Sequence, residues 1–143
     1  MGVLEIFIVL IVIFMIFSAV FSGSETALTA ANRSKIHALE LSGNKRATKV
    51  SALMQDRERL IGSILIGNNL FNIAAASMAT YAFTLVVGEA GVIYATTAMT
   101  VLVVIFAEVL PKTYAIRHAE RVALAVAPFM KIVVFIAWPI THA

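Results

Sequence analysis

The sequence predicts an all-α membrane protein, with three transmembrane helices and a further juxtamembrane helix lying at the membrane interface. Three observations carry that reading. Of 143 residues, 61% are hydrophobic and only 13% are charged. Residues 6–24, 60–88 and 90–107 form three stretches without a single charge. Each stretch is long enough to cross the roughly 30 Å of a bilayer's hydrocarbon as a helix. A soluble domain would instead spread its charges along helical faces.

The first span covers about residues 4–31. A signal peptide is the competing reading, but the stretch lacks a basic n-region, exceeds a usual apolar h-region and runs into Glu25-Thr26-Ala27 rather than a cleavage site. It is therefore expected to stay in the chain. Ala27, Leu28, Ala30 and Ala31 favour helix and carry it past the membrane surface to about Asn32. Ser42-Gly43-Asn44 reads as a turn. Residues 45–59 then read as a polar helix that continues into the second span, at about residues 60–87. The third span follows at about 90–110.

Residues 122–138, within an interfacial helix expected at about 118–138, are the ambiguous segment. They are apolar enough for a fourth span, yet Pro128 and Lys131 stand near the middle. A proline frees a carbonyl and a central lysine is costly in lipid. With Arg117, Glu120 and Arg121 before it and Trp138 near its end, the segment reads better as an interfacial helix, with a fourth span as the alternative. Residues 1–143 thus form one transmembrane domain without internal repeats, and the stop at Ala143 reads as a boundary inside a longer chain.

Charge gives the topology. The net charge is +3, with eleven Lys and Arg residues. Arg33, Lys35, Lys45, Arg46, Lys49, Arg57 and Arg59 all fall between the first two spans, whereas the connection at Gly88-Glu89-Ala90 has none. The basic loop is expected in the cytoplasm, which puts the N-terminus outside and the C-terminus inside. Without interleaved aromatics and caught between two spans, the loop does not read as a nucleic-acid patch. The chain has no Cys, so a thiolate metal site and a disulfide framework are both excluded.

Three polar clusters interrupt the apolar runs: Ser22-Gly23-Ser24-Glu25-Thr26, Gly67-Asn68-Asn69-Leu70-Phe71-Asn72 and Glu108-Val109-Leu110-Pro111-Lys112. At about 1.5 Å rise per residue, Ser22 lies roughly 27 Å along the first helix and Glu108 roughly 27 Å along the third, while Asn68 lies roughly 12 Å into the oppositely directed second. All three clusters therefore fall in the cytoplasmic half of the membrane. Ser22 and Glu25 share a face at i, i+3, Asn68 and Asn72 at i, i+4, and Thr97, Thr100 and Glu108 lie near one face of the third helix. Pro111 cannot donate to the carbonyl of Ala107 and disfavours helix at Leu110, so a backbone oxygen beside Glu108 is expected to be released.

Hydroxyl, amide and carbonyl oxygens with one carboxylate suit a hard cation such as Mg²⁺ better than a transition metal. A packing role has at least equal weight for Ser24, Asn69, Thr97 and Thr100, because such residues often serve only to hold membrane helices together. It does not for Glu108, whose carboxylate is expensive at that depth and by default functional. Glu25 can simply sit at the interface. His37 and His118 read as interfacial surface residues and His142 lies at the end of the chain. No nucleophile, base and orienter set is present, so no enzyme activity is expected.

In the order and spacing of these clusters, Phe21-Ser22-Gly23-Ser24-Glu25-Thr26-Ala27, Gly67-Asn68-Asn69-Leu70-Phe71-Asn72 and Glu108-Val109-Leu110-Pro111-Lys112, the sequence resembles the CNNM/CorC family of magnesium transport proteins over essentially its whole length. The resemblance implies a homodimer with three spans and a juxtamembrane helix, followed in the full protein by cytosolic CBS domains that bind ATP and are absent from this chain. It implies a cation site at Ser22, Asn68 and Glu108, with Gly23 and Asn72 as supporting candidates. The function so implied is Mg²⁺ transport, with efflux as its direction and exchange for Na⁺ as a possible coupling. The alternative is a non-transporting membrane anchor that senses Mg²⁺ or scaffolds another transporter.

Overall fold

The computed structural model describes residues 2–142. The side chain of His142 lies outside the described residues. Among the described residues seven α-helices follow one another: α1 (Val3–Ala30), α2 (Arg33–Leu41), α3 (Lys45–Gln55), α4 (Arg57–Val87), α5 (Gly91–Leu102), α6 (Leu110–Arg117) and α7 (Ala119–His142). A π-helical stretch, Val103–Val109, joins α5 to α6 without a break, and no strand occurs among the described residues. The chain is an all-α membrane protein. Among the described residues three helical runs are long and apolar enough to cross a membrane: Val3–Ala30, Arg57–Arg117 and Ala119–Ile140.

Short polar residues set the helix boundaries. Ala31 leaves the helical region with ψ 139°, and the Asn32 carboxamide accepts from the backbone N–H groups of Ser34 (2.8 Å) and Lys35 (3.2 Å) to start α2. Gly43, at φ 95°, makes the turn that follows, and Asn44 caps α3 through Ala47 N at 3.0 Å.

Residues 45–59 do not form one helix continuing into the second span. Asp56 breaks it with φ −114°, ψ 70°, and its carboxylate accepts from the N–H of Arg59 at 3.3 Å. An aspartate at an N-cap satisfies donors that a continuous helix would have to pair internally, and so it favours a fresh start. The break leaves α3 free to bury Ala47, Val50 and Leu53 in the same cluster as Ala119, Ala123, Ala127 and Met130 of α7.

The run Arg57–Arg117 folds back on itself at Gly88, which has φ 76°. Beyond it α5 descends along α4, so that Ala75 and Ala79 pack with Ala95 and Met99. At the top of this hairpin a Cβ on Gly91 would lie 2.6 Å from the carbonyl carbon of Phe83 and 2.6 Å from Thr84 N. Only a glycine permits backbones that close.

Pro111 does not interrupt the third helix as expected. Leu110 is helical, with φ −64° and ψ −47°, and its N–H bonds to Ile105 O, five residues back. Widening the preceding turn to a π-helix shifts the hydrogen-bond register so that Pro111 stands in the first turn of α6. There its missing N–H costs little.

The placement of α7 follows from its partners. Glu120 near its start pairs with Lys35 at 3.4 Å, Lys131 lines a crevice with Asp56 and Arg59, and the Trp138 ring near its end lies 5.7 Å below the Arg59 guanidinium. Lys35, Asp56 and Arg59 all belong to the basic segment between the first two spans. Both ends of α7 therefore meet residues of that segment, and its length and composition are also those of a helix able to cross a membrane.

Gly91→Ala should lower thermal stability in detergent by about 1–3 kcal/mol, the usual scale of overpacking. Gly2→Ala, where nothing lies within 4 Å of the added Cβ, should leave it unchanged.

Candidate functional site

The contact between α1 and α4 is built from two adjacent stripes on each helix. One is aromatic. Phe71 of α4 stacks on Phe17 with ring centres 5.0 Å apart and 15° between planes, and it also meets Phe14 and Phe21, each at 5.7 Å. Phe129 of α7 completes the group 5.7 Å from Phe21. A Cβ on Gly67 would lie 2.5 Å from Cζ of Phe21, so a glycine one turn before Phe71 is what admits the ring.

The second stripe, one residue further round each helix, is polar. Ser18 Oγ, fully buried, lies 2.7 Å from Asn68 Oδ1 and 2.5 Å from Asn72 Oδ1. Ser22, one turn along the same face of α1, is 2% exposed, and its Oγ has no hydrogen-bond partner. Such a hydroxyl is an exception in folded proteins, and it bears a cost on the scale of a lost hydrogen bond. The motif Gly67-Asn68-Asn69-Leu70-Phe71-Asn72 thus has two interlocked roles: residues 67 and 71 seat the aromatic stack, while 68 and 72 carry the carboxamides.

The third helix reaches the same level from α1's other side. Gly23 packs on Pro111, whose Cβ and carbonyl oxygen would each lie 3.6 Å from an added Cβ, and Ala19 shares a groove with Phe106. Glu108, between Phe106 and Pro111 and within the π-helical stretch, is half-buried. Among the described residues its carboxylate makes no ion pair or hydrogen bond, so it does not touch Ser22, Asn68 or Asn72 directly. Gly23 lies in the contact between α1 and α6, where an added Cβ would meet Pro111 at ordinary van der Waals distance.

The remaining polar residues of the clusters are satisfied locally. Ser24 donates to Val20 O, Thr97 to Ile93 O and Thr100 to Thr96 O, each one turn back on its own helix, and Asn69 is exposed. Thr80, Thr96 and Thr100 share with Asn72 a groove of about 360 Å³ between α4 and α5. Glu25 lines a crevice with Arg33 and Arg57 at the basic end, without an ion pair to either. His37 and His118 are exposed. Ser18 escaped the sequence reading because it stands alone in an apolar run; its i, i+4 relation to Ser22 was the available signal.

No group of three or more His, Cys, Asp or Glu among the described residues could hold a metal ion. What the site offers is neutral oxygen, from Ser18, Ser22, Asn68 and Asn72, with one carboxylate at the same level. That set suits a hard cation held weakly and does not suit a resident transition metal.

Gly67→Ala should displace the Phe21 ring and cost about 1–3 kcal/mol of stability. Adding Phe21→Leu, which removes the far edge of the ring, should recover part of that loss in thermal unfolding.

Comparison with known proteins agrees with this architecture. The family description "Cyclin M transmembrane N-terminal domain" matches residues 9–143. The chain is 41% identical over 125 residues to the UPF0053 inner membrane protein YfjD of Escherichia coli, covering 85% of this chain and 29% of that protein. It is 41% identical over 115 residues to a UPF0053 protein of Haemophilus influenzae, covering 80% of this chain and 27% of the relative. A DUF21 domain-containing chloroplastic protein of Arabidopsis thaliana is 38% identical over 107 residues, 74% of this chain and 16% of its own length. The chain thus spans less than a third of these relatives. With its helices, the π-helical stretch of its third span and its polar clusters all inside the matched region, the chain belongs to the CNNM family as a cyclin M transmembrane domain.

Proposed function

We propose that this chain is the ion-handling domain of a Mg²⁺ transporter that takes Mg²⁺ from the cytoplasm and releases it outside in exchange for Na⁺. The observation that carries the reading is the unsatisfied oxygen at one level of the bundle. Ser22 Oγ is buried without a partner, the Asn68 and Asn72 carboxamides meet at Ser18 Oγ one turn away, and Glu108 makes no ion pair among the described residues. Unpaired polar groups at membrane depth are costly and mark ion pathways.

Hard cations are bound through oxygen, and Mg²⁺ gives up its water reluctantly. Ser22, Asn68 and Glu108 would hold the ion, with Asn72 beside Asn68 and Gly23 at the contact with the third helix. A site with a single carboxylate leaves part of a divalent charge uncompensated, so the ion keeps some of its water and is released readily. That weakness suits a transported ion, and it lets a monovalent cation compete.

The orientation follows from charge: the basic segment at residues 33–59 faces the cytoplasm, the N-terminus lies outside and α7 rests on the inner surface. Family membership and the greater length of the relatives support a homodimer whose longer chain carries cytosolic CBS domains.

In proteoliposomes of the full-length protein, Mg²⁺ flux should rise with an opposing Na⁺ gradient. Glu108→Gln should slow it by at least about tenfold, as expected when a hard-cation site loses its one carboxylate. Flux indifferent to Na⁺ would remove the exchange, and a Glu108→Gln variant running at the wild-type rate would remove the site. No flux in the wild type would leave a membrane anchor.

A further inference from the structure

We propose that Ser18 is a positioning residue that sets the preference of this site for Mg²⁺ over the larger Ca²⁺, an inference that rests on the Mg²⁺ reading above. Its hydroxyl lies within 2.7 Å of Asn68 Oδ1 and 2.5 Å of Asn72 Oδ1 at once. A serine hydroxyl has one proton, so it donates to one of these oxygens at a time. Because the same hydroxyl also accepts, it can hold the second carboxamide through that group's N–H, so one buried side chain engages both. Two carboxamides from successive turns of α4 are thereby pinned to one point on α1.

The surroundings leave that point little freedom. Ser18 is fully buried. The aromatic stack of Phe17, Phe21 and Phe71 packs against the adjoining stripe and fixes the two helices against each other. Ser22 Oγ, buried and unpartnered one turn along the same face, is a second and independent sign that this face meets a ligand.

Rigidity is what separates the two ions. Mg²⁺ demands near-ideal octahedral geometry at about 2.0–2.1 Å, whereas Ca²⁺ accepts six to eight oxygens at about 2.3–2.6 Å in flexible arrangements. Carboxamides held by a buried hydroxyl present their oxygens at a fixed spacing. Released from it, they can swing apart to the wider shell of Ca²⁺.

The test is calorimetric titration of Mg²⁺ and of Ca²⁺ into the full-length protein in detergent. Ser18→Ala should weaken Mg²⁺ binding by about tenfold, the lower end for loss of a group that orients metal ligands, while Ca²⁺ binding changes by less than about threefold. The Mg²⁺/Ca²⁺ ratio then falls. Ser63→Ala removes another buried hydroxyl, one that donates to Arg59 O on its own helix, and should leave the ratio at the wild-type value. If Ser18→Ala does not fold, Ser18→Cys carries the test, because a thiol of similar size is a poor donor and should lower the ratio in the same direction.

An unchanged ratio with Mg²⁺ binding intact, or equal weakening of both ions, would overturn the positioning role and leave the Mg²⁺ reading standing. Wild-type protein that binds no Mg²⁺ would overturn both.

Discussion

The rest of the structure depends on the close approach of α1 and α4. In lipid there is no hydrophobic drive to bring two apolar helices together, so association rests on packing and on polar contacts between helices. Both are present here in adjoining stripes. Gly67 gives the Phe21 ring its place, Phe71 stacks on Phe17, and Ser18 meets Asn68 and Asn72 beside them. The same aromatic group receives Phe129 of α7, which ties that helix to the bundle at the level of the polar stripe.

That arrangement places a cost beside a scaffold able to bear it. The aromatic contacts and the small buried residues between α4 and α5 hold the helices whether or not the polar stripe is satisfied. The polar stripe can then remain imperfectly paired, with Ser22 unpartnered and Glu108 without a counter-charge. A site fully satisfied by protein would have nothing to gain from an ion. The π-helical stretch serves the same end, because it accommodates Pro111 in a continuous helix and carries Glu108 to the level of Ser22 beside the Gly23–Pro111 contact.

Much of this was legible in the sequence, for physical reasons that also mark where legibility stopped. Long uncharged runs have one solution in a bilayer, so the long apolar helices could be read directly. The clusters at Ser22, Asn68 and Glu108 stood out because polar groups at such depth are rare. Ser18 did not, since one serine in an apolar run can bond to its own helix and needs no partner. Asp56 looked like one more charge in a polar helix, although an aspartate before Arg57-Glu58-Arg59 is also a helix start. Pro111 was seen and its effect misplaced: the expected break at Leu110 became a change of hydrogen-bond register upstream. Register is a property of the whole helix and of the glycine contact across from it, and local preference at one residue does not report it.

The claim at the centre of this account is that three helices bring their polar residues together to hold a hard cation. The most direct measurement is calorimetric titration of Mg²⁺ into the purified full-length protein, wild type beside Asn68→Ala, with thermal unfolding of both as a check on the fold. The account predicts saturable binding by the wild type that is lost or greatly weakened in Asn68→Ala while the unfolding temperature stays close. Equal binding by both proteins would contradict it, and would return Asn68 to a purely structural contact between α1 and α4.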